Sequence, residues 1–269
     1  MKNLRSSNEF KLLAQTIADV NQYRTVYFIP SPGNWGDALI NTGTVQFLDS
    51  IGCNYETRSR AELLYEISQV GDDSILELLV IVGGGGGWCE TWFSTRDFVS
   101  SIAPGVSRVL VLPTTYALKK NPGPDANVIY FSRDSKLASK HLPEALFCHD
   151  MAFFLAADVE QEPHTLPRLV ALRADREQSP SAKKFEFSVD VSLLGDAFSP
   201  VAPLLQIVSR FEHVVSDRLH VAIAGCLLNK SVTLLPGNYE KSREVFAASI
   251  SPHFPLAQFR EWKDFDFWP

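Results

Sequence analysis

Short apolar runs alternate with longer amphipathic stretches along most of this chain. That alternation restricts it to a fold of βα units around mostly parallel sheets. The runs at 26–29, 78–82, 109–112, 128–131 and 145–148 read as strands. Helices are expected between them at 38–51, 62–68, 91–102 and 135–141. A polar stretch with two prolines, 160–167, breaks the pattern, which then restarts. Strands are expected at 169–172, 213–215 and 232–235, and helices at 200–210, 219–228 and 239–248. A length of 269 residues is generous for one compact domain and comfortable for two small ones. The sequence therefore predicts α/β domains over 1–160 and 161–269, facing each other across a cleft. Ligands in such folds lie beyond the carboxyl ends of the strands. Asn34, Gly84, Thr114, Arg173 and His220 each end or follow an expected strand, so all five are expected on the walls of that cleft.

Charge and hydropathy exclude several classes. The chain carries 31 acidic against 25 basic residues, a net charge of −6, and no block of Lys or Arg. Nucleic-acid binding needs a basic face, so no nucleic-acid partner is expected. Residues 1–15 hold no apolar core long enough for a signal peptide. No window approaches the roughly 18 apolar residues of a membrane span. The four cysteines, Cys53, Cys89, Cys148 and Cys226, form no CxxC pair and sit beside apolar or glycine-rich runs. Buried free thiols are expected, in a cytoplasmic protein.

The stretch Ser216-Asp217-Arg218-Leu219-His220 lies between an apolar run and an apolar helix. A helix opening there presents free amides and the positive end of its dipole to an anion. Arg218 adds a planar fork suited to phosphate or carboxylate. His220 adds a group able to give or take a proton near neutral pH. Arg173 ends the 169–172 strand on the same expected edge. It reads either as an anion ligand or as an ion-pair partner of Asp175 or Glu177. Gly33-Asn34-Trp35-Gly36-Asp37 lies between a strand and a helix. Asn34 and Asp37 could meet a sugar hydroxyl, or form a tight turn with an N-cap.

Five glycines, 83–87, follow a buried strand. They match neither the dinucleotide fingerprint nor a P-loop, since Gly-Lys-Ser/Thr is missing. Gly84 and Gly85 read as exposed amides in a cleft. Trp88 and Trp92 read either as platforms for a sugar ring or as packing. Arg133 and Asp134 read as an internal ion pair. His141, His149, His164, His213 and His253 have no ligand-like spacing, and no metal site is expected.

Taken in order, these motifs resemble the polysaccharide pyruvyl transferase family. The resemblance rests on Gly33–Asp37, the strand and glycine run at 80–87, Leu112-Pro113-Thr114-Thr115, Phe131-Ser132-Arg133-Asp134, His149-Asp150-Met151-Ala152-Phe153 and Ser216–His220. Thr114 stands where the family commonly has glutamine, and the chain is short for the family. The resemblance implies two Rossmann-like domains arranged as in GT-B glycosyltransferases. The first would serve the acceptor through its glycine-rich loops; the second would hold the donor. It implies transfer of the pyruvyl group of phosphoenolpyruvate onto a sugar as a ketal, in exopolysaccharide or cell-surface glycan biosynthesis. His220 would be catalytic. Arg218, Leu219 and Arg173 would hold the donor, and Asn34, Asp37, Gly84, Gly85, Thr114 and Thr115 would contact substrate. The acceptor would be a sugar or a lipid-linked oligosaccharide, which leaves room for peripheral membrane association. No cofactor is implied.

Two other functions share this pattern. One is a GT-B-type glycosyltransferase whose anion site takes the diphosphate of a nucleotide sugar. The other is a catalytically silent sugar- or phosphate-binding protein. Fold alone does not separate them.

Overall fold

The computed structural model describes residues 4–21, 25–70, 75–119, 126–159 and 166–266. The expected boundary stretch at 160–165, with His164, lies outside them. The protein is an α/β fold with two separate sheets, one of six strands and one of four. In chain order the elements are α1 (Asn8–Val20), β1 (Thr25–Ile29), α2 (Trp35–Ser50), β2 (Glu56–Thr57), α3 (Arg60–Gln69), β3 (Leu76–Val82), α4 (Ser94–Ile102), β4 (Val106–Thr114), β5 (Val128–Ser132), α5 (Lys136–His141) and β6 (Leu146–Phe147). The second sheet adds β7 (Leu166–Ala171), α6 (Ala202–Ser209), β8 (Phe211–Ser216), α7 (Leu219–Leu227), β9 (Ser231–Leu234), α8 (Lys241–Val245) and β10 (Ala257–Phe259). Among the described residues no helix is long and apolar enough to cross a membrane.

The six-stranded sheet runs β2-β1-β3-β4-β5-β6 and is parallel throughout. The chain moves outward from β1 to β2, then crosses back to β3. The ends of β1 and β3 therefore flank a topological switch point. Strands covered on both faces need continuous apolar sequence. Leu79 to Val82 of β3 and Val109 to Leu112 of β4 are accordingly all buried. One face packs Val80, Val82, Val109 and Val111 with Phe98, Val99 and Ile102 of α4. The amphipathic α1 buries Phe10, Leu13 and Ile17, and its N-cap Ser7 accepts a hydrogen bond from the Phe10 amide. Phe10 and Phe47 each meet Phe154 edge-on, with ring centroids 5.0 and 5.1 Å apart.

The four-stranded sheet runs β10-β9-β8-β7, again parallel. Val170, Leu172, Val215 and Leu235 form its core with Trp262 and Phe265. Helix α7 is buried almost all round, which explains its near-absence of polar residues. Gly225 lets it sit close on the sheet: a Cβ there would fall 2.9 Å from Val232 Cγ2.

By its contacts the chain divides into two compact units. The six-stranded unit holds the described residues before Pro32 and those from Thr44 to Phe154. The four-stranded unit holds the described residues from Leu155 onward together with Pro32–Gly43. Four contacts attach that early segment: Ala197 N–H donates to Gly33 O (3.1 Å), Trp35 Nε1 to Pro200 O (2.8 Å) and Asn41 Nδ2 to Ala197 O (3.0 Å), and Asn34 bridges Asp196.

Candidate functional site

The carboxyl edge of the four-stranded sheet gathers the charged residues. β7 leads into Arg173, β8 into Asp217, Arg218 and His220, and β9 toward Lys241. Short side chains stitch the first two ends together. Ser216 Oγ donates to Ala171 O at 2.5 Å and accepts from the Arg218 amide at 2.9 Å. The Arg173 amide donates to Asp217 Oδ1 at 2.7 Å. Arg218 is the N-cap of α7 and no side chain caps it. Leu219 and His220 form its first turn, with Leu219 buried and His220 half-buried.

Both arginines are buried, and both are already paired. Arg218 donates Nε to Asp190 Oδ1 at 2.9 Å and Nη2 to Asp190 Oδ2 at 2.5 Å; its Nη1 lies 2.8 Å from Asp175 Oδ2. Arg173 holds Asp175 through Nε at 2.9 Å and Glu177 through Nη2 at 2.7 Å. Lys241 Nζ also reaches Glu177, at 2.6 Å. Both ion-pair partners expected for Arg173 are therefore engaged, inside the unit rather than at its surface. Burial opposes ionisation of Glu177, but the charges of Lys241 and Arg173 outweigh it and hold its carboxyl down to about 2. Asp175 is lowered too: burial works against it, while Arg173 and Arg218 favour its charge.

Asp217 is the exception in this network. It is fully buried, at 0% exposure, and its Oδ2 has no hydrogen-bond partner among the described residues. Burial pushes its carboxyl up to about 6, against the Arg173 amide and the nearby guanidinium charges. Three cations (Arg173, Arg218, Lys241) face four carboxyls (Asp175, Glu177, Asp190, Asp217). The cluster is neutral when one carboxyl keeps a proton, and Asp217 is the group that holds it most readily.

A folded-state value above the ordinary 3.8 favours the fold fully below about pH 4 and loses that contribution as pH rises through about 6. At about 1.4 kcal/mol per tenfold change in proton affinity, the cost above that range is on the order of 3 kcal/mol. Asp217→Asn keeps the acceptor for Arg173 and removes the charge. It is expected to raise stability at pH 8 by up to that amount and by nothing near pH 4. Paired denaturant melts at the two pH values measure this, and an equal gain at both would contradict it. Glu177 works in the opposite sense, stabilising above about 4.5 and losing that contribution as pH falls toward 2.

The Gly33–Asp37 segment forms the start of α2, which begins at Trp35, earlier than the expected residue 38. The reason is capping. Asn34 Oδ1 accepts the Gly36 amide at 2.8 Å, and Asp37 Oδ2 accepts the Asn34 amide at 3.0 Å. These two side chains thus serve the helix start, one of the roles open to them in the sequence. The same turn packs on His220. A Cβ placed on Gly36 would come 2.7 Å from His220 Nδ1 and 3.0 Å from Asn34 Oδ1, so only glycine fits there. Gly33, with φ of +147°, takes a conformation that favours glycine, and a Cβ there would strike Asp37 Oδ2 at 2.1 Å.

In the six-stranded unit the expected contact residues are tied into the fold. Gly85 donates its amide to Pro113 O at 3.1 Å and accepts from the Thr115 amide at 3.0 Å. Gly84 O accepts from Ser31 Oγ at 2.5 Å, and a Cβ on Gly84 would meet Pro113 O at 2.3 Å. The glycine run therefore serves close backbone packing at the switch point. Thr114 and Thr115 are buried; Thr114 Oγ1 donates to Leu112 O at 2.8 Å, and Thr115 Oγ1 accepts Arg133 Nε at 2.8 Å. Trp88 is core, edge-on to Tyr116 and Tyr130, whereas Trp92 is exposed. Arg133 pairs with Asp150 (2.6 Å), and Asp134 caps α5 through the Leu137 amide. His149 is buried among Phe10, Phe147 and Phe153. All four cysteines are free, with Cys53 partly exposed and the others buried.

Asn34, Asp37, Arg173, Arg218, Leu219 and His220 thus belong to one unit, and Gly84, Gly85, Thr114 and Thr115 to the other. Sequence reasoning missed Asp190, Lys241 and the buried Asp217 carboxyl. Asp190 lies in a stretch with no apolar period. Lys241 stands at the start of an expected helix, where a surface lysine is unremarkable.

No protein-family profile matches the chain, and no curated protein matches it by sequence. Among solved structures it is similar to a functionally uncharacterised protein from Klebsiella pneumoniae subsp. pneumoniae. The likeness has a TM-score of 0.76 at 21% identity and covers 94% of this chain and 99% of that one. It establishes a shared fold.

Proposed function

We propose that the chain is a pyruvyl transferase of the polysaccharide pyruvyl transferase type, acting on phosphoenolpyruvate and a sugar. One observation carries this reading. Two motifs far apart in sequence, Gly33–Asp37 and Ser216–His220, meet where Gly36 packs against the His220 imidazole beside Asn34. On this reading each unit is Rossmann-like and the protein belongs with GT-B folds. The six-stranded order, with its switch point at β1 and β3, and the parallel four-stranded sheet favour that assignment.

The residues suit the chemistry. His220 gives a proton to the methylene carbon of phosphoenolpyruvate, leaving oxocarbenium character at C2. A sugar hydroxyl adds to C2 and inorganic phosphate leaves with the electron pair of its C–O bond. A second hydroxyl closes the ketal, and the hydroxyl protons return to His220 and solvent. Arg218, Arg173 and the first amides of α7 stabilise donor charge and departing phosphate. A catalytically silent binding protein is the second reading, favoured by the carboxylates that already pair both arginines.

Calorimetric titration separates the readings. Phosphoenolpyruvate is expected to bind in the micromolar to millimolar range, as most enzyme substrates do, and a nucleoside diphosphate is not. Binding of the nucleoside diphosphate alone would instead favour a nucleotide-sugar glycosyltransferase. Binding of phosphoenolpyruvate without phosphate release in the presence of sugar acceptors would favour the silent protein.

A further inference from the structure

We propose that Asp190 is a specificity-determining residue: its carboxylate is a resident ligand in the fork of Arg218, which only a multiply charged donor displaces. The proposal rests on reading Arg218 as a donor-binding group. Asp190 meets Arg218 through both oxygens, at 2.9 Å to Nε and 2.5 Å to Nη2. That is the side-on geometry a donor carboxylate or phosphate would adopt. The remaining nitrogen, Nη1, is taken by Asp175 at 2.8 Å. As the site stands, an anion reaches Arg218 by exchanging places with a carboxylate.

The carrier of Asp190 suits such an exchange. It lies on the long connection from β7 to α6, whose regular structure is one 3-10 turn, Val191–Leu194. Connections of that length within a compact unit are commonly functional. It is held at Asp190 itself, which also accepts the Ala174 amide at 2.8 Å, by the Val189 amide to Val170 O at 3.1 Å, and further on by Asp196, Ala197 and Pro200 against the start of α2. Much of its apolar surface holds nothing down: Phe187, Leu193, Leu194 and Phe198 are 72, 56, 62 and 75% exposed. Phe187 to Asp190 has few buried contacts and can open locally, whereas Val191, Ser192 and Ala197 are buried. A single carboxylate arriving at Arg218 replaces like with like and gains little. A ligand bearing both phosphate and carboxylate gains charge at Arg218 and Arg173 together. Asp190 thus works by penalising the wrong anion.

The test uses the whole chain and three probes: phosphoenolpyruvate, inorganic phosphate and pyruvate. Asp190→Asn keeps the side-chain shape and removes the charge. Its affinity for pyruvate and phosphate is expected to rise about tenfold or more, the worth of one charged hydrogen bond, with a smaller rise for phosphoenolpyruvate. Preference for phosphoenolpyruvate over pyruvate then falls, by up to about tenfold. An unchanged preference, or weaker binding of all three, would overturn the proposal. Hydrogen exchange on the parent protein guards against a variant that misfolds. Saturating phosphate or phosphoenolpyruvate should speed exchange across 187–198, and unchanged protection there would equally overturn it. If the parent ignores phosphoenolpyruvate, the functional reading falls. Asp190 is then judged on phosphate and pyruvate: both should bind Asp190→Asn about tenfold tighter, and unchanged affinity for both would overturn the proposal.

Discussion

Replacing His220 with alanine is expected to lower pyruvyl transfer by at least about 10²-fold, the usual contribution of a positioned proton donor. The fold should survive. His220 is half-buried on the first turn of α7, and alanine is the best helix former. Donor affinity should change far less than turnover, because the proposed function gives the charge-bearing contacts to Arg218, Arg173 and the helix amides. Arg218→Ala is expected to show the reverse pattern, raising KM first. Steady-state phosphate release, read with a melting curve for each variant, separates the two. A His220→Ala protein within about tenfold of the parent would remove the imidazole from the mechanism.

The largest stability effect is expected at Arg133. Its guanidinium is buried in the six-stranded unit, with Nη1 2.6 Å from Asp150 Oδ2 and Nε 2.8 Å from Thr115 Oγ1. Asp150 is itself fully buried and caps the turn that follows through the Ala152 amide at 2.9 Å. Arg133→Met strands that carboxylate without its cation, and breaking a buried pair in this way costs about 3–5 kcal/mol. The melting temperature should fall by on the order of 10 °C. Adding Asp150→Leu should recover part of the loss, since a buried pair is often replaceable by apolar groups. A thermal scan of the two variants decides. A single variant that melts with the parent would show that the pair carries no structural weight.

The parallel strands were legible because burial on both faces forces unbroken apolar runs, as at β3 and β4. Two of the edge strands were not. β2 is only Glu56–Thr57 and β10 only Ala257–Phe259, too short and too polar to stand out from loops. Helix α1 carries a helical period, with Phe10, Leu13 and Ile17 buried on one face, but precedes the first strand and fell outside the alternation. At the site, the residue types at 216–220 were informative, because a strand-to-helix turn fixes what a side chain there can do. The partners of Arg218 were hidden. Asp190 meets it through tertiary structure alone, from a stretch without period. Likewise, Pro32–Gly43 joins the four-stranded unit through backbone carbonyls of Gly33, Ala197 and Pro200, which any residue could supply. The glycine run has a packing role that its sequence does not show. It looks like a ligand cradle in sequence, and here its glycines admit Ser31, Pro113 and Thr95 at van der Waals limits.

On the proposed function, this chain moves a pyruvyl group from phosphoenolpyruvate to sugar hydroxyls with His220 as proton donor. The most direct measurement is phosphate release from phosphoenolpyruvate in the presence of diol-bearing sugars, with the sugar product weighed by mass spectrometry. Phosphate and pyruvyl ketal are expected in equal amounts, and neither above the background with His220→Ala. Phosphoenolpyruvate left intact while a sugar nucleotide is turned over to free nucleotide would contradict it.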